Sequence, residues 1–207
     1  IYENQENLTP ELISNNRNYL VLTRPTSTSN NEMYLKDQET GEIRHISKHE
    51  GDATYSPADF SLDDRILYYL TNEESEYTYL ASMDLETGEK EVVYKDEWDL
   101  MYAYNSYHEK YRVIGINEDA KTVVKVYDLS SGDEISMPEF EGGDITGISI
   151  SRSENLIRLS VGSSTSPGDI FIFDFREKDL EQLTSTLNPE IDERDLVAGQ
   201  VIRYPSF

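Results

Sequence analysis

Cysteine is absent from this sequence of 207 residues, and basic residues are scarce: 18 Lys and Arg stand against 41 Asp and Glu, a formal net charge of −23. Without cysteine there is no disulfide framework, thiolate nucleophile or Cys-ligated zinc site. The acidic excess argues against general binding to nucleic acids or anionic membranes, because both attract positive charge. No apolar run approaches the roughly 18 residues of a membrane span. No signal peptide is visible, which favours a cytoplasmic protein over an exported one whose signal has been removed.

A repeated hairpin signal runs through the chain. Four segments each contain an apolar run, an aspartate and a short polar turn, and their aspartates lie at intervals of 47, 44 and 46 residues. An Asp before a turn accepts hydrogen bonds from backbone amides two residues later, and Gly supplies the positive φ that a hairpin needs. The Gly follows four residues after the Asp in three copies, and Lys178 takes its place in the fourth. The pattern predicts hairpins built on Asp37, Gly41, Asp84, Gly88, Asp128, Gly132 and Asp174.

A second pair of strands lies between these hairpins. Each copy has a strand, a turn rich in Ser, Asn, Asp and Glu, and another strand, and the copies span residues 13–22, 60–69, 104–114 and 148–159. Helical periodicity is missing, and only residues 96–104 could form a helical turn. Each period of about 45 residues therefore holds four short antiparallel strands, the content of one propeller blade. We predict an all-β fold, a β-propeller fragment of about four blades with four antiparallel strands each.

The repeat also predicts the organisation of the chain. Residues 1–11 are interpreted as the outer strand of a preceding blade, residues 12–54, 55–98, 99–144 and 145–186 as four blades, and residues 187–207 as a linker. Four blades of this kind rarely close a ring, and an open propeller exposes the apolar faces between blades. The chain is therefore expected to be part of a longer protein, or to form a homo-oligomer that covers those faces.

Two features resemble the propeller of the prolyl oligopeptidase family of serine peptidases, which includes acylaminoacyl peptidases and dipeptidyl peptidases. Residues 60–68, Phe-Ser-Leu-Asp-Asp-Arg-Ile-Leu-Tyr, look like a degenerate copy of a Trp-Ser-Pro-Asp-Gly repeat. The Asp-x-x-Thr-Gly hairpins at residues 37–41 and 84–88 are similar to that family, and the TolB propeller shares both features. The intact consensus is absent, and residues 55–59, Tyr-Ser-Pro-Ala-Asp, come nearest.

The C-terminal segment adds to the resemblance. Residues 183–186, Leu-Thr-Ser-Thr, end the last repeat and lead to Val-Ile-Arg-Tyr-Pro-Ser-Phe at residues 201–207. This segment resembles the linker and strand with which these peptidases enter their α/β-hydrolase domain. The resemblance covers essentially the whole chain and implies the later part of a propeller. Its implied partners are a hydrolase domain of the same parent protein and short peptide substrates.

No catalytic, cofactor or metal site is predicted for this chain. A hydrolase of that family needs a Gly-x-Ser-x-Gly elbow, which is absent, and the Gly-Ser-Ser-Thr at residues 162–165 is expected to be a turn at a strand end. We interpret the histidines, His45, His49 and His108, as surface residues. Glu73 and Glu74 form an acidic pair in a loop, in surroundings that do not match a site for a substrate amino terminus. Calcium-binding and phosphate-binding loop patterns are absent.

The remaining polar and aromatic clusters have ordinary structural interpretations. Asp63 and Asp64, like Asp133 and Glu134, lie at predicted turns, where turn capping and solvation account for their charge. Tyrosines at residues 68–69, 77–79, 102–104 and 107–111 are expected to pack between blades, with a ligand channel as the alternative.

Two classes of function remain open from the sequence. The first is a non-catalytic propeller that gates the access of short peptides to an active site on a hydrolase domain. The second is a TolB-like or WD40-like propeller that acts as a protein-binding scaffold. A sugar-binding propeller lacks support, because Trp98 is the only tryptophan.

Overall fold

The computed structural model describes Asn4 and residues 7–140, 143–192 and 195–205. Within these residues, no helix is long and apolar enough to cross a membrane. The strands are β1 (Thr9–Ile13), β2 (Tyr19–Pro25), β3 (Asn31–Asp37), β4 (Ile43–His45), β5 (Tyr55–Phe60), β6 (Ile66–Thr71), β7 (Tyr79–Asp84), β8 (Lys90–Tyr94), β9 (Asp99–Asn105), β10 (Tyr111–Glu118), β11 (Lys121–Asp128), β12 (Asp144–Ile150), β13 (Leu156–Gly162), β14 (Asp169–Asp174) and β15 (Leu180–Gln182).

These strands form four sheets, with the orders β1-β2-β3-β4, β5-β6-β7-β8, β11-β10-β9 and β12-β13-β14-β15. Consecutive strands pair because short turns join them, and short turns favour antiparallel neighbours. The first strands β1, β5 and β12 each contain a register shift, centred on Glu11, Ala58 and Thr146. Such bulges bend a strand and increase its twist. The prediction of an all-β propeller fragment is confirmed, with one sheet for each blade.

The third sheet has three strands, not the four predicted for residues 99–144. After the turn that follows β11, the chain makes one isolated bridge between Tyr127 and Glu134 and one hydrogen bond from the Ile135 amide to Val126. Pro138 follows shortly afterwards, and proline has no amide hydrogen with which to continue a ladder. The outer strand of this blade is therefore reduced to a bridge among the residues described.

Two further expectations differ from the structure. The helical turn proposed for residues 96–104 is wrong, because β9 occupies most of this segment and buries Leu100 and Ala103 with Met101 exposed between them. Strand β1 begins at Thr9, so the end of the segment 1–11 belongs to the first sheet. Leu8, just before it, is fully buried against Leu22. The rest of that segment, apart from Asn4 and Asn7, lies outside the described residues.

The chain divides into two compact units, Ile1–Asn105 and Ser106–Phe207. In the first unit, apolar side chains on one face of the first sheet pack on the facing side chains of the second. The buried residues of this core are Val21, Met33, Leu35, Ala53, Tyr55, Phe60, Leu67, Tyr69, Tyr79, Ala81, Met83 and Leu85. Each large side chain buried here stabilises the fold by about 1.5–3 kcal/mol. Tyr55, Tyr69 and Tyr79 are therefore core residues between two blades.

In the second unit, the sheet formed by β12–β15 buries one face, and its opposite face carries both polar and apolar side chains. Ile157 and Leu159 are fully buried, and the ring of Phe175 stacks on Tyr111 with centroids 4.2 Å apart. On the opposite face Arg158 donates hydrogen bonds to the hydroxyl groups of Ser149 and Ser160, at 3.0 and 2.9 Å. Ile170 and Ile172 pair with Ser160 and Arg158, so they lie on this same face, and both are half-buried. Self-association stays a prediction.

Candidate functional site

One end of each sheet is closed by a hairpin built on an aspartate. Oδ1 of Asp37 accepts hydrogen bonds from the amides of Glu39 and Thr40, at 2.8 and 2.9 Å. The same arrangement recurs at Asp84 and Asp174, where backbone amides bind the carboxylate. These amide hydrogen bonds lower the pKa of each of the three carboxyl groups below its ordinary value. The pKa of Asp128 is also lowered, mainly by a hydrogen bond from the Ser130 hydroxyl and further by one from the Ser130 amide.

Each hairpin ends in a residue with left-handed backbone conformation. Gly41, Gly88 and Gly132 have φ values of 77°, 78° and 80°, and Lys178 has a φ of 56°. In every copy the amide of this residue donates to the carbonyl of the aspartate, over 2.8–3.0 Å. Glycine adopts this conformation without strain, whereas a residue with a Cβ atom is strained by about 1–2 kcal/mol. Lys178 is therefore the strained copy.

The turn between the first two strands of every sheet has its own repeated geometry. It begins with a serine whose hydroxyl accepts the amide five residues later, at 2.9–3.2 Å, and these serines are Ser14, Ser61, Ser106 and Ser151. The residue three positions after the serine has a φ between 55° and 65°, and these residues are Arg17, Asp64, Glu109 and Glu154. The repeat places a non-glycine side chain at a left-handed position in all four sheets.

Two of these left-handed residues connect neighbouring blades. Asp64, which is 3% exposed, accepts the Asn15 amide on Oδ1 and the Asn16 amide on Oδ2, both at 2.8 Å. The side-chain amide of Asn15 adds a third hydrogen bond to Asp64 at 3.0 Å. The expectation that Asp64 is a solvated turn residue is wrong; its neighbour Asp63 caps the turn.

The second connection lies in the unit Ser106–Phe207. Glu154 is 5% exposed and accepts hydrogen bonds from the Ser106 hydroxyl and, at 2.7 Å, from the His108 amide. Burial alone raises the pKa of Glu154, but the hydrogen bonds from Ser106, His108 and Lys110 outweigh it and leave the pKa lowered. We name these two contacts, Asp64 to the 14–18 turn and Glu154 to the 106–110 turn, the carboxylate clasps.

The opposite end of the first unit contains a cleft where the first strands β1, β5 and β9 meet. Its volume is about 340 Å³, and Glu11, Thr23, Ser56, Leu70, Thr78 and Met101 are among the residues that line it. The polar walls are held by hydrogen bonds, such as the pair between the Asn31 side chain and the backbone of Tyr55 at 2.6 and 2.8 Å. Met101, which lines this opening, is 45% exposed.

The second unit has a larger pocket, of about 680 Å³, beside the loop that follows β13. Asp169 is 8% exposed, and its Oδ1 accepts the Thr184 hydroxyl and the Thr186 amide, both at 2.9 Å. Ser163 and Thr165 lie in this loop with their hydroxyls 3.1 Å apart. The loop runs on into β14 without the helix that follows the serine in a Gly-x-Ser-x-Gly elbow.

The histidines do not form a catalytic or metal site among the residues described. His45 stacks on Tyr34 with centroids 4.7 Å apart, and the Ser47 hydroxyl near it is fully buried and accepts the Met33 amide. His49 contacts the Ser47 carbonyl at 2.7 Å. No group of three His, Asp or Glu side chains with metal-binding geometry occurs in the described part of the chain.

The acidic pair in the β6–β7 loop also has local partners. Glu73 forms an ion pair with Lys90 at 3.4 Å, and its carbonyl accepts the Tyr79 hydroxyl. Glu74 has a φ of 52° and helps to turn the loop. The Glu73 carboxylate is therefore paired within the second sheet.

We compared this chain with known protein families. Residues 1–186 match the family described as prolyl oligopeptidase, N-terminal β-propeller domain. The chain belongs to this family. A search of curated proteins finds no match to the sequence.

Solved structures share the propeller fold with this family member at low sequence identity. Prolyl oligopeptidase B from Galerina marginata is 19% identical with a TM-score of 0.73, over 94% of this chain and 29% of the enzyme. TolB from Acinetobacter baumannii is 20% identical with a TM-score of 0.63, over 86% of this chain and 43% of TolB. A puromycin-hydrolysing peptidase from Mycobacterium tuberculosis is 12% identical with a TM-score of 0.66, over 89% of this chain and 30% of that peptidase. The chain therefore spans less than half of each of these proteins.

The sequence pointed to the hairpin aspartates but not to the carboxylate clasps. A signal was present, because Asp64, Glu109 and Glu154 occupy the position of the glycine in the Trp-Ser-Pro-Asp-Gly pattern. An acidic side chain at a position that favours glycine needs a compensating contact.

Proposed function

We propose that this chain is the non-catalytic propeller of a prolyl oligopeptidase-like serine peptidase, and that it gates the access of short peptides to an active site on an α/β-hydrolase domain outside this sequence. The observation that carries the proposal is the family match over residues 1–186, together with the missing Gly-x-Ser-x-Gly elbow. In such a peptidase a serine attacks the peptide carbonyl, a histidine takes its proton and an oxyanion hole stabilises the intermediate. All three would belong to the hydrolase domain.

The propeller would select substrates by their size, because it would limit access to the active site. At the turn end of the first unit, a hydrogen bond from the Gln38 amide to the Asn18 carbonyl at 2.7 Å joins the hairpin to the first turn. The cleft at the other end has a volume of about 340 Å³ and is walled by the first strands of successive blades. A short extended peptide fits such an opening, whereas a folded protein does not. The Galerina marginata enzyme, which shares this fold, has been solved with a 35-residue substrate.

The cleft offers a direct test in the full-length parent protein. Met101→Trp places a larger side chain at the opening, and Thr40→Trp places the same side chain on the exposed hairpin at the turn end. We expect Met101→Trp to lower kcat/KM for a peptide of intermediate length by about tenfold, and for a dipeptide derivative by much less. Thr40→Trp should change neither value. Equal losses for both substrates with Met101→Trp would overturn a role in gating.

A protein-binding scaffold is the second candidate, supported by the likeness to TolB. The reading frame beyond the Phe207 codon separates the two candidates. A following domain with Gly-x-Ser-x-Gly supports the peptidase proposal, whereas a stop codon supports the scaffold.

A further inference from the structure

We propose that the turn formed by residues 151–156 is a docking site for the carboxylate of an Asp or Glu carried by a further blade, at the left-handed position of that blade's own first turn. The inference concerns the docking of one blade on another. It depends on the fold and not on peptidase activity.

Among the residues described, a carboxylate of a later blade binds the first turn of the preceding blade twice, through partly different donors. In the first unit, the 14–18 turn presents the amides of Asn15 and Asn16, and Asp64 of the following blade accepts both at 2.8 Å. In the second unit, the 106–110 turn presents the His108 amide at 2.7 Å and the Ser106 hydroxyl, and Glu154 of the following blade accepts both. In each case the acid comes from the later blade and the donors from the earlier one.

The 151–156 turn closes with the same internal hydrogen bonds as the turns at Ser14 and Ser106. The Ser151 hydroxyl accepts the Leu156 amide at 3.2 Å, and the Glu154 amide donates to the Ser151 carbonyl at 2.9 Å. Arg152 and Ser153, which correspond to Asn15 and Asn16, are exposed. No acceptor among the residues described contacts their backbone amides. The guanidinium of Arg152 lies 4.9 Å from the centre of the Tyr107 ring and adds positive charge beside the turn.

The first turn of the chain indicates which partner fits. A second copy would bring its own first blade to this site, with Arg17 at the left-handed position where the other three turns carry an acid. A guanidinium cannot accept hydrogen bonds from the Arg152 and Ser153 amides, and it would be repelled by Arg152. The site is therefore matched to a blade that carries an acid at this position, and not to the first blade of another copy.

A chain extended by one blade tests the proposal. Residues 55–98, which contain Asp64, are repeated after Thr186, and the matched control carries Asn at the repeated Asp64 position. Hydrogen exchange measured by NMR should show the Arg152 and Ser153 amides at least about tenfold slower with Asp than with Asn. The amides of the repeated β6 strand should be equally protected in both. Equal exchange at Arg152 and Ser153 in a folded extension overturns the proposal.

A second variant covers the case in which the added blade does not fold. Arg17→Asp supplies the missing acid to the first blade, so the unextended chain should then associate head to tail, as measured by light scattering. Arg152→Pro removes one amide donor while keeping a turn-compatible backbone, and it should abolish this association, whereas Arg152→Ala should weaken it less. A monomeric Arg17→Asp variant contradicts the docking site. Association of the unaltered chain through the 151–156 turn contradicts the assignment of the partner.

Discussion

The carboxylate of Asp64 lies 2.8 Å from the backbone amide nitrogen of Asn15, 49 residues earlier in the chain. The contact joins the first turn of one blade to the first turn of the next. Because Asp64 is buried and receives three N–H donors, its charge is compensated by hydrogen bonds instead of water. The apolar core holds the two sheets together, and the hydrogen bonds of Asp64 fix how the sheets align at one end.

Replacing the acid should loosen this junction. Asp64→Asn keeps the shape but turns one acceptor into an NH₂ group that faces the amides of the 14–18 turn. We expect a loss of about 1–3 kcal/mol in the free energy of unfolding, since buried donors lose a charged partner. Urea denaturation followed by circular dichroism measures the change. Glu39→Gln, an exposed substitution in a hairpin, serves as the control, and a loss no larger than that of the control would contradict the role of Asp64.

The clasp at Glu154 should make stability depend on pH. Its pKa in the folded protein lies below its ordinary value, whereas in the unfolded chain it is about 4.3. The stabilising contribution is therefore complete above about pH 4.3 and is lost as the pH falls through the folded value. The difference in unfolding free energy between the unaltered protein and Glu154→Gln should shrink between pH 7 and about pH 3. A difference that stays constant over this range would show that the charge of Glu154 does not contribute.

The hairpins allow a matched pair of substitutions with opposite effects. Gly88→Ala should cost about 1–2 kcal/mol, because a Cβ atom at a φ of 78° is strained although nothing lies within 4 Å of it. Lys178→Gly removes strain at the same position of the last hairpin and should stabilise the protein by up to about 1 kcal/mol.

Thermal unfolding of both hairpin variants measures these changes. Gly147→Ala is the control, since its Cβ would make only ordinary contacts, at 3.5 Å from Ser160, and its φ lies outside the left-handed range. If Lys178→Gly destabilised the protein as much as Gly88→Ala, backbone strain would not be the determining effect.

The local parts of the fold could be predicted from the sequence. The Asp-to-Gly spacing in the first three hairpins encodes a turn through contacts within five residues, and Asp37 and Gly41 take up that geometry. The alternation of apolar residues likewise indicates strands without reference to the rest of the chain. Repetition of these signals was enough to predict blades.

The parts that depend on distant contacts could not be predicted. Asp63 and Asp64 are adjacent and chemically identical, yet one caps its own turn and the other is buried against the preceding blade. The third sheet has no fourth strand among the residues described, because the backbone pairing with β11 ends after the bridge at Glu134. The sequence alone did not indicate where this pairing would end. The cleft beside Met101 is formed by β1, β5 and β9, which are far apart in sequence.

The central claim is that this propeller belongs to a serine peptidase whose catalytic residues lie on another domain. Labelling with a fluorophosphonate, which reacts with activated serines, tests it most directly when applied to the native gene product and to the 207-residue chain alone. The account predicts that the native product is labelled at a serine outside this sequence and that the chain alone is not labelled. An unlabelled native product, or a labelled serine within this chain, would contradict it.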